Sequence, residues 1–203
     1  YFINFATGEC IAWQEKVSGF VSQAPEAGSG GTIVVHTADT VRLTYLMELF
    51  VRHAHPLMFV GGAGTGKTIM VNDYLASLSV ADTTYSFVTI NMNFYTDSYA
   101  LQMQLEQNID KRSGKSYGPA GGKLVYFVDD VNLPVVEQYG TQTPIALMRQ
   151  HIDHMSWYDR SDVSLKKQIV DCQYVCSMNH KAGSFFVDPR LQRHFYSLAC
   201  TMP

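Results

Sequence analysis

The chain has 203 residues, with 15 Lys and Arg against 18 Asp and Glu for a formal charge of -3, a length that suits one domain. Apolar residues make up 46%, enough for an ordinary core and too many for a disordered tail, while the near-neutral balance excludes binding of bulk nucleic acid by charge alone. Charged residues reach only 16% and aromatics 12%, against roughly 25% charged in an average soluble domain, which predicts that something outside the chain covers part of its surface.

No apolar run approaches the roughly 20 residues of a membrane helix, and no signal-peptide pattern opens the chain. It therefore reads as soluble and cytoplasmic, with no membrane partner. Cys10, Cys172, Cys176 and Cys200 lack C-x-x-C spacing and are expected as reduced thiols that pack as small apolar groups. An opening Tyr1 and a closing Pro203 just after an apolar run read as a piece of something longer.

The first 26 residues are irregular, with Trp13, Val17 and Phe20 as apolar anchors, and Ala27 to Gly31 has linker composition. Residues 1–31 are accordingly taken as an inter-module segment and 32–203 as the domain. Thr32 to Val35 suits a short strand, and Thr40 suits the cap of a helix with Val41, Tyr45, Leu46, Leu49 and Phe50 at helical spacing, ended by His55-Pro56.

Strands and helices then alternate. Leu57 to Val60 is an apolar strand, Gly61 to Thr68 a loop, and Thr68 to Leu78 a helix offering Ile69, Val71, Leu75 and Leu78 for packing. Phe87 to Ile90 predicts the next strand, followed by a helix from about Asp97 to Arg112 that stops at Gly114. Leu124 to Val128 is an unbroken apolar strand of the kind buried on both faces. Thr143-Pro144 opens a helix to about His154 as cap and first residue, and Trp157 to Ile169 predicts a hairpin insert turning at Ser161-Asp162. Gln173 to Met178 and Tyr196 to Cys200 are further strands, separated by a short helix that begins at Asp188-Pro189. This order predicts an α/β fold of three layers, a central parallel sheet with helices on both faces.

Gly61-Gly62-Ala63-Gly64-Thr65-Gly66-Lys67-Thr68 fits G-x-x-x-x-G-K-[ST] between a strand and a helix. Side chains are absent where backbone N–H groups must converge on phosphate oxygens, and the helix turns its positive end toward them. Lys67 is expected to bridge the β- and γ-phosphates, and Thr68 to place its hydroxyl on magnesium. Leu124 to Val128 ends in Asp129 and Asp130; the first suits the magnesium. The second stands where a water-polarising acid is needed, one methylene shorter than Glu. Asn179 can orient that water if its strand lies between the phosphate-loop strand and the acid-bearing strand. Arg190 and Arg193 suit an arginine finger reaching a neighbouring site. His151 and His154 lack companions at ligand spacing, so no metal is expected there.

Those motifs, in that order, resemble the large subdomain of an AAA+ ATPase. Longer strings, among them His36 to Arg42, Asn93 to Thr96, Tyr117 to Pro119, Phe127 to Pro134, Tyr139 to Gln142, Trp157 to Arg160, Gly183 to Phe185 and Asp188 to Phe195, resemble the third AAA+ module of dynein heavy chains of the axonemal outer-arm type. The likeness is close over residues 32 to 203 and loose before. It implies a regulatory nucleotide site that takes ATP or ADP with magnesium and hydrolyses slowly if at all, in a motor ring of six modules. The adenine is expected near Val35, His36 and Thr37, and the phosphates along Gly61 to Ile69. Arg193 is the first choice of finger and Arg190 the second. An Asp-Asp pair is typical of axonemal forms, and His180 replaces a usual Pro. The implied partners are the neighbouring modules, other dynein arm subunits and, indirectly, a microtubule; the implied location is the outer dynein arm of a ciliary or flagellar axoneme. The helical lid subdomain is missing, so the isolated piece is expected to be a poor ATPase. The competing reading is a structural module that holds nucleotide without hydrolysing it.

Overall fold

A computed structural model describes residues 1–4, 7–17, 35–181 and 187–201. The linker-like stretch, the anchor Phe20, most of the strand expected at 32–35 and the string at 183–185 lie outside the described residues. The chain forms two compact units, Tyr1–Leu49 and Phe50–Pro203.

The first unit contains the two-residue strands β1 (Phe2–Ile3) and β2 (Cys10–Ile11), which pair antiparallel, a 3-10 turn at Trp13–Lys16, and most of helix α1 (Ala38–Arg52). Phe2, Trp13 and Tyr45 form an aromatic cluster with centroids 5.1 to 6.2 Å apart, and the Lys16 ammonium sits 4.0 Å from the Phe2 ring centre. Two details of α1 differ from expectation. The cap is Thr37, whose hydroxyl accepts from Thr40 N while Thr37 N donates to the Thr40 hydroxyl, so Thr40 is the inner half of a reciprocal capping pair. The buried stripe is Leu43, Met47 and Val51, not the series through Tyr45 and Leu49; helical spacing fixes the period, whereas the aromatic cluster draws Tyr45 to the other side.

In the second unit follow β3 (Leu57–Gly61), α2 (Lys67–Ala81), β4 (Tyr85–Asn91), α3 (Ser98–Glu106), β5 (Asp110–Ser113), β6 (Ser116–Gly118), β7 (Lys123–Asp129), α4 (Thr143–His154), β8 (Ser156–Tyr158), β9 (Lys166–Ile169), β10 (Cys172–Met178), α5 (Pro189–Gln192) and β11 (Tyr196–Cys200). Five strands form one parallel sheet in the order β11-β3-β10-β7-β4. Near-continuous apolar runs in β3, β7 and β10 suit strands buried on both faces. One face, carrying Met58, Tyr126, Val128, Tyr174 and Cys176, packs with Leu101, Leu105, Ile145 and Met148 of α3 and α4. The opposite face meets α2, where Thr89 donates to Asn72 Oδ1 at 2.9 Å. The α/β architecture with helices on both sides is therefore as expected.

The expected hairpin insert is present as β8 and β9. It joins β5 and β6 in a separate four-stranded sheet, and this corrects the helix expected to run to Arg112. That helix ends at Glu106 and the chain returns as a strand. Arg112 ties it down by donating to Asp171 Oδ2 and to Pro119 O, so tertiary bonds override a helical pattern. Gly114 sits in the β5–β6 turn and is no helix stop. Thr143 is the first residue of α4, after the cap residue Gln142, because its hydroxyl accepts from Ser98 N instead.

A half-buried polar network fastens the insert to α3. Lys167 pairs with Glu106 at 2.9 Å and Asp159 at 2.6 Å, and Glu106 also accepts from Trp157 Nε1 and Gln102 Nε2. The Lys167 bond, helped by two backbone amides, pulls the Asp159 carboxyl down to about 2. All four cysteines are free; burial pushes the Cys172 thiol up to about 11 and the Cys176 thiol higher still. Among the described residues, no helix is long and apolar enough to cross a membrane.

Candidate nucleotide site

The phosphate loop leaves the end of β3 and runs into the first turn of α2. Gly64 and Gly66 hold φ of 77° and 78°, a region open to glycine at no steric cost, and Gly66 caps α2 without a side-chain bond. The first amides of the helix therefore face the loop, as anion binding requires. Lys67 is buried, and its ammonium lies 3.0 Å from Gly61 O, 2.8 Å from Gly62 O and 3.3 Å from the Thr65 hydroxyl.

Thr68 Oγ1 donates to Asp129 Oδ2 at 2.7 Å, bringing together residues 61 positions apart. The other oxygen of Asp129 accepts from Ser177 Oγ and from Asp130 N at 3.1 Å. Hydroxyl and carboxylate oxygens are hard donors of the type magnesium takes, one or two at a time. Two acids against one lysine also leave negative charge for a divalent cation to offset, so the residues present fit magnesium.

Asp130 has φ of 54°, a left-handed position that Asp and Asn tolerate better than most residues. Burial and the neighbouring Asp129 charge raise its carboxyl above the ordinary range, and Lys67 opposes them. Because β10 lies between β3 and β7, the condition set for Asn179 is met. Asn179 Oδ1 accepts from Lys181 N at 3.0 Å, and Asn132 Nδ2 donates to Asn179 O at 3.0 Å. Ala63 to Ile69, Asp129, Asp130 and Asn179 line one cavity of about 300 Å³. Ile69, expected also as a packing residue, is 48% exposed and faces this cavity.

Other expected residues lie elsewhere. Val35, His36 and Thr37 belong to the first unit, where Val35 is exposed and Thr37 caps α1. Arg190 and Arg193 are at α5 and do not line the phosphate cavity; they border a larger groove of about 820 Å³ along α4, together with Arg149 and Arg160. Arg193 Nη2 meets Asp153 Oδ1 at 3.0 Å, and His194 Nε2 meets the same oxygen at 2.8 Å. His151 is a core histidine: Nδ1 lies 2.7 Å from the Tyr174 hydroxyl, and burial lowers its pKa to about 4.

Two site residues escape sequence reasoning, Ser177 and Asn132. The available signal for Ser177 is a lone hydroxyl late in an apolar strand. Its partner becomes visible only with the register, in which Cys176 pairs with Val128 and Ser177 falls beside Asp129.

A parallel sheet whose central strands carry a phosphate loop, an Asp-Asp end and a trailing Asn defines a P-loop AAA module. Residues 23–203 match the family described as P-loop containing dynein motor region. The chain belongs to that family. It is 45% identical to dynein axonemal heavy chain 17 of Mus musculus and 46% identical to dynein axonemal heavy chain 11 of Sus scrofa. It is 44% identical to the dynein beta chain, flagellar outer arm, of Chlamydomonas reinhardtii. Each comparison covers 100% of this chain over 204 aligned residues and 4% of the relative.

Proposed function

We propose that this chain is the large subdomain of the third AAA+ module of an axonemal outer-arm dynein heavy chain, and that it binds ATP or ADP with magnesium to regulate the motor ring. Residues 32–203 form the module, residues 1–31 lead into it, and a helical lid is supplied from outside these residues. The observation that carries the reading is the meeting of Thr68 and Asp129 at 2.7 Å beside a buried Lys67 at the mouth of the loop. Thr68 and Asp129 hold the cation, which offsets charge on the phosphate oxygens when bound. Lys67 and the loop amides hold the β- and γ-phosphates, and the adenine contacts are assigned to Val35, His36 and Thr37. Asn179 and Asp130 face the attacking water. Arg193, with Arg190 second, serves the neighbouring module's site. Neighbouring modules and other arm subunits are the direct partners in the axoneme of a cilium or flagellum, and the microtubule is reached through the full motor.

Hydrolysis is slow in this reading, because Asp130 is a methylene short of Glu and a misplacement of about 1 Å costs on the order of 100-fold in rate. The same observation favours a second reading, a structural module that never releases its nucleotide. Exchange separates the two: prompt replacement of ADP by ATP in the intact heavy chain supports gating, whereas nucleotide that survives extensive washing supports the structural role. The rate itself is tested by single-turnover hydrolysis in a heavy chain whose other phosphate loops have lost their lysine. Native Asp130 and Asp130→Asn are expected to differ less than tenfold; fast native turnover abolished in Asp130→Asn contradicts the reading.

A further inference from the structure

We propose that Ser177 is the positioning residue that sets the Asp129 carboxylate for the divalent cation, an inference that rests on the magnesium–nucleotide reading above. Among the described residues three donors hold Asp129: Thr68 Oγ1 on Oδ2, and Asp130 N and Ser177 Oγ on Oδ1. Their origins differ. Thr68 belongs to the phosphate loop and is itself a proposed cation ligand, and the Asp130 amide is adjacent in the chain and moves with the same turn. Among the described residues Ser177 alone reaches Asp129 from an independent strand, and its frame is fixed: it is fully buried, it pairs with Phe59 of β3 and follows the Cys176–Val128 pair of β10 and β7, and its carbonyl accepts from Val131 N at 3.0 Å.

The terminal torsion of Asp is broad, without sharp staggered wells, so the main chain of β7 does not by itself decide where the two oxygens point. A hydroxyl on Oδ1 decides it. Being neutral, that hydroxyl orients the carboxylate without cancelling its charge, as a lysine in the same place would. Partners behind a metal ligand act in this way, and their loss typically costs 10- to 100-fold in metal affinity. A merely space-filling serine predicts a different outcome: its removal alters stability, or alters binding equally with and without the cation.

The test compares ADP binding by a heavy chain whose other phosphate loops have lost their lysine with that of the same protein carrying Ser177→Ala, by calorimetry in EDTA and in excess Mg²⁺. A Mn²⁺ titration at saturating ADP, read from the free-ion paramagnetic resonance signal, follows the metal directly. The expected result is ADP affinity within about twofold of the parent in EDTA, with Mn²⁺ affinity and the Mg²⁺-dependent gain both reduced by about tenfold. Ser177→Thr, which keeps the hydroxyl, is expected to retain most of the gain. If Ser177→Ala does not fold, Ser177→Cys, with a weaker donor of similar size, is expected to show a smaller loss in the same direction. An unchanged Mg²⁺ gain in the folded variant, or an equal loss with and without Mg²⁺, overturns the role of Ser177 and leaves the nucleotide reading intact. No ADP binding by that heavy chain with Ser177 intact overturns both.

Discussion

Gly61→Ala is expected to destabilise the second unit by about 3 kcal/mol or more, at the upper end of the range for overpacking a filled site. A Cβ built on Gly61 lies 2.3 Å from the carbonyl oxygen of Cys200, 3.0 Å from Cys200 Cβ and 3.1 Å from the Thr65 hydroxyl. The nearest of these is main chain in the β3–β11 ladder, where Gly61 pairs with Cys200, so relief requires the two strands to part at the point where the phosphate loop begins. The neighbouring residue supplies the control. A Cβ on Gly62 meets nothing within 4 Å, and Gly62→Ala is expected to change stability by less than about 1 kcal/mol. Urea unfolding of both variants checks the pair; equal midpoints for Gly61→Ala and the parent contradict the packing described for this end of the sheet.

The second large effect concerns binding. Lys67→Ala is expected to weaken ADP or ATP by about 3 kcal/mol, on the order of 100-fold, the worth of one or two charge-assisted hydrogen bonds to phosphate. The ammonium is already gathered at the mouth of the loop by two carbonyls and a hydroxyl, so little side-chain ordering remains to be met when phosphate arrives. Lys67→Arg is not expected to restore affinity, because a planar guanidinium cannot take the place of a compact ammonium among those acceptors. Fluorescent-nucleotide titration reads the change. Lys67→Ala binding as tightly as the parent, with an unaltered melting temperature, contradicts the proposed role.

Much of this site was legible because its chemistry is local. The glycines, Lys67 and Thr68 are consecutive, and Asp129 and Asp130 end an apolar run. Each pattern follows from what one stretch of backbone needs. The apolar runs of β3, β7 and β10 were legible for the same reason, being too hydrophobic to lie anywhere but the middle of a sheet. What was not legible depends on the strand order. Ser177 reaches Asp129 because β10 is inserted between β3 and β7, and nothing near Ser177 in the sequence announces that neighbour. Asn132 holds Asn179 through a bond across 47 positions. Residues 107–112 carry no strand signal strong enough to oppose the preceding helix; the bonds of Arg112 to Asp171 and Pro119 decide the matter. Likewise the phase of α1 was set by a cluster of aromatic rings that periodicity does not see.

Arg190 and Arg193 illustrate the remaining boundary. Their position at α5, on a groove separate from the phosphate cavity, follows from the fold, whereas the site they are proposed to serve belongs to another module. Asp153 holds both Arg193 and His194 on one oxygen, so the guanidinium is anchored at one edge while remaining largely exposed.

The most direct measurement is the structure of this chain solved with ADP and Mg²⁺. The account predicts the terminal phosphate against the amides of Gly64 to Thr68 and the Lys67 ammonium, with the metal beside Thr68 Oγ1 and an oxygen of Asp129. Nucleotide bound away from this loop, or a metal whose protein contacts omit both Thr68 and Asp129, would contradict it.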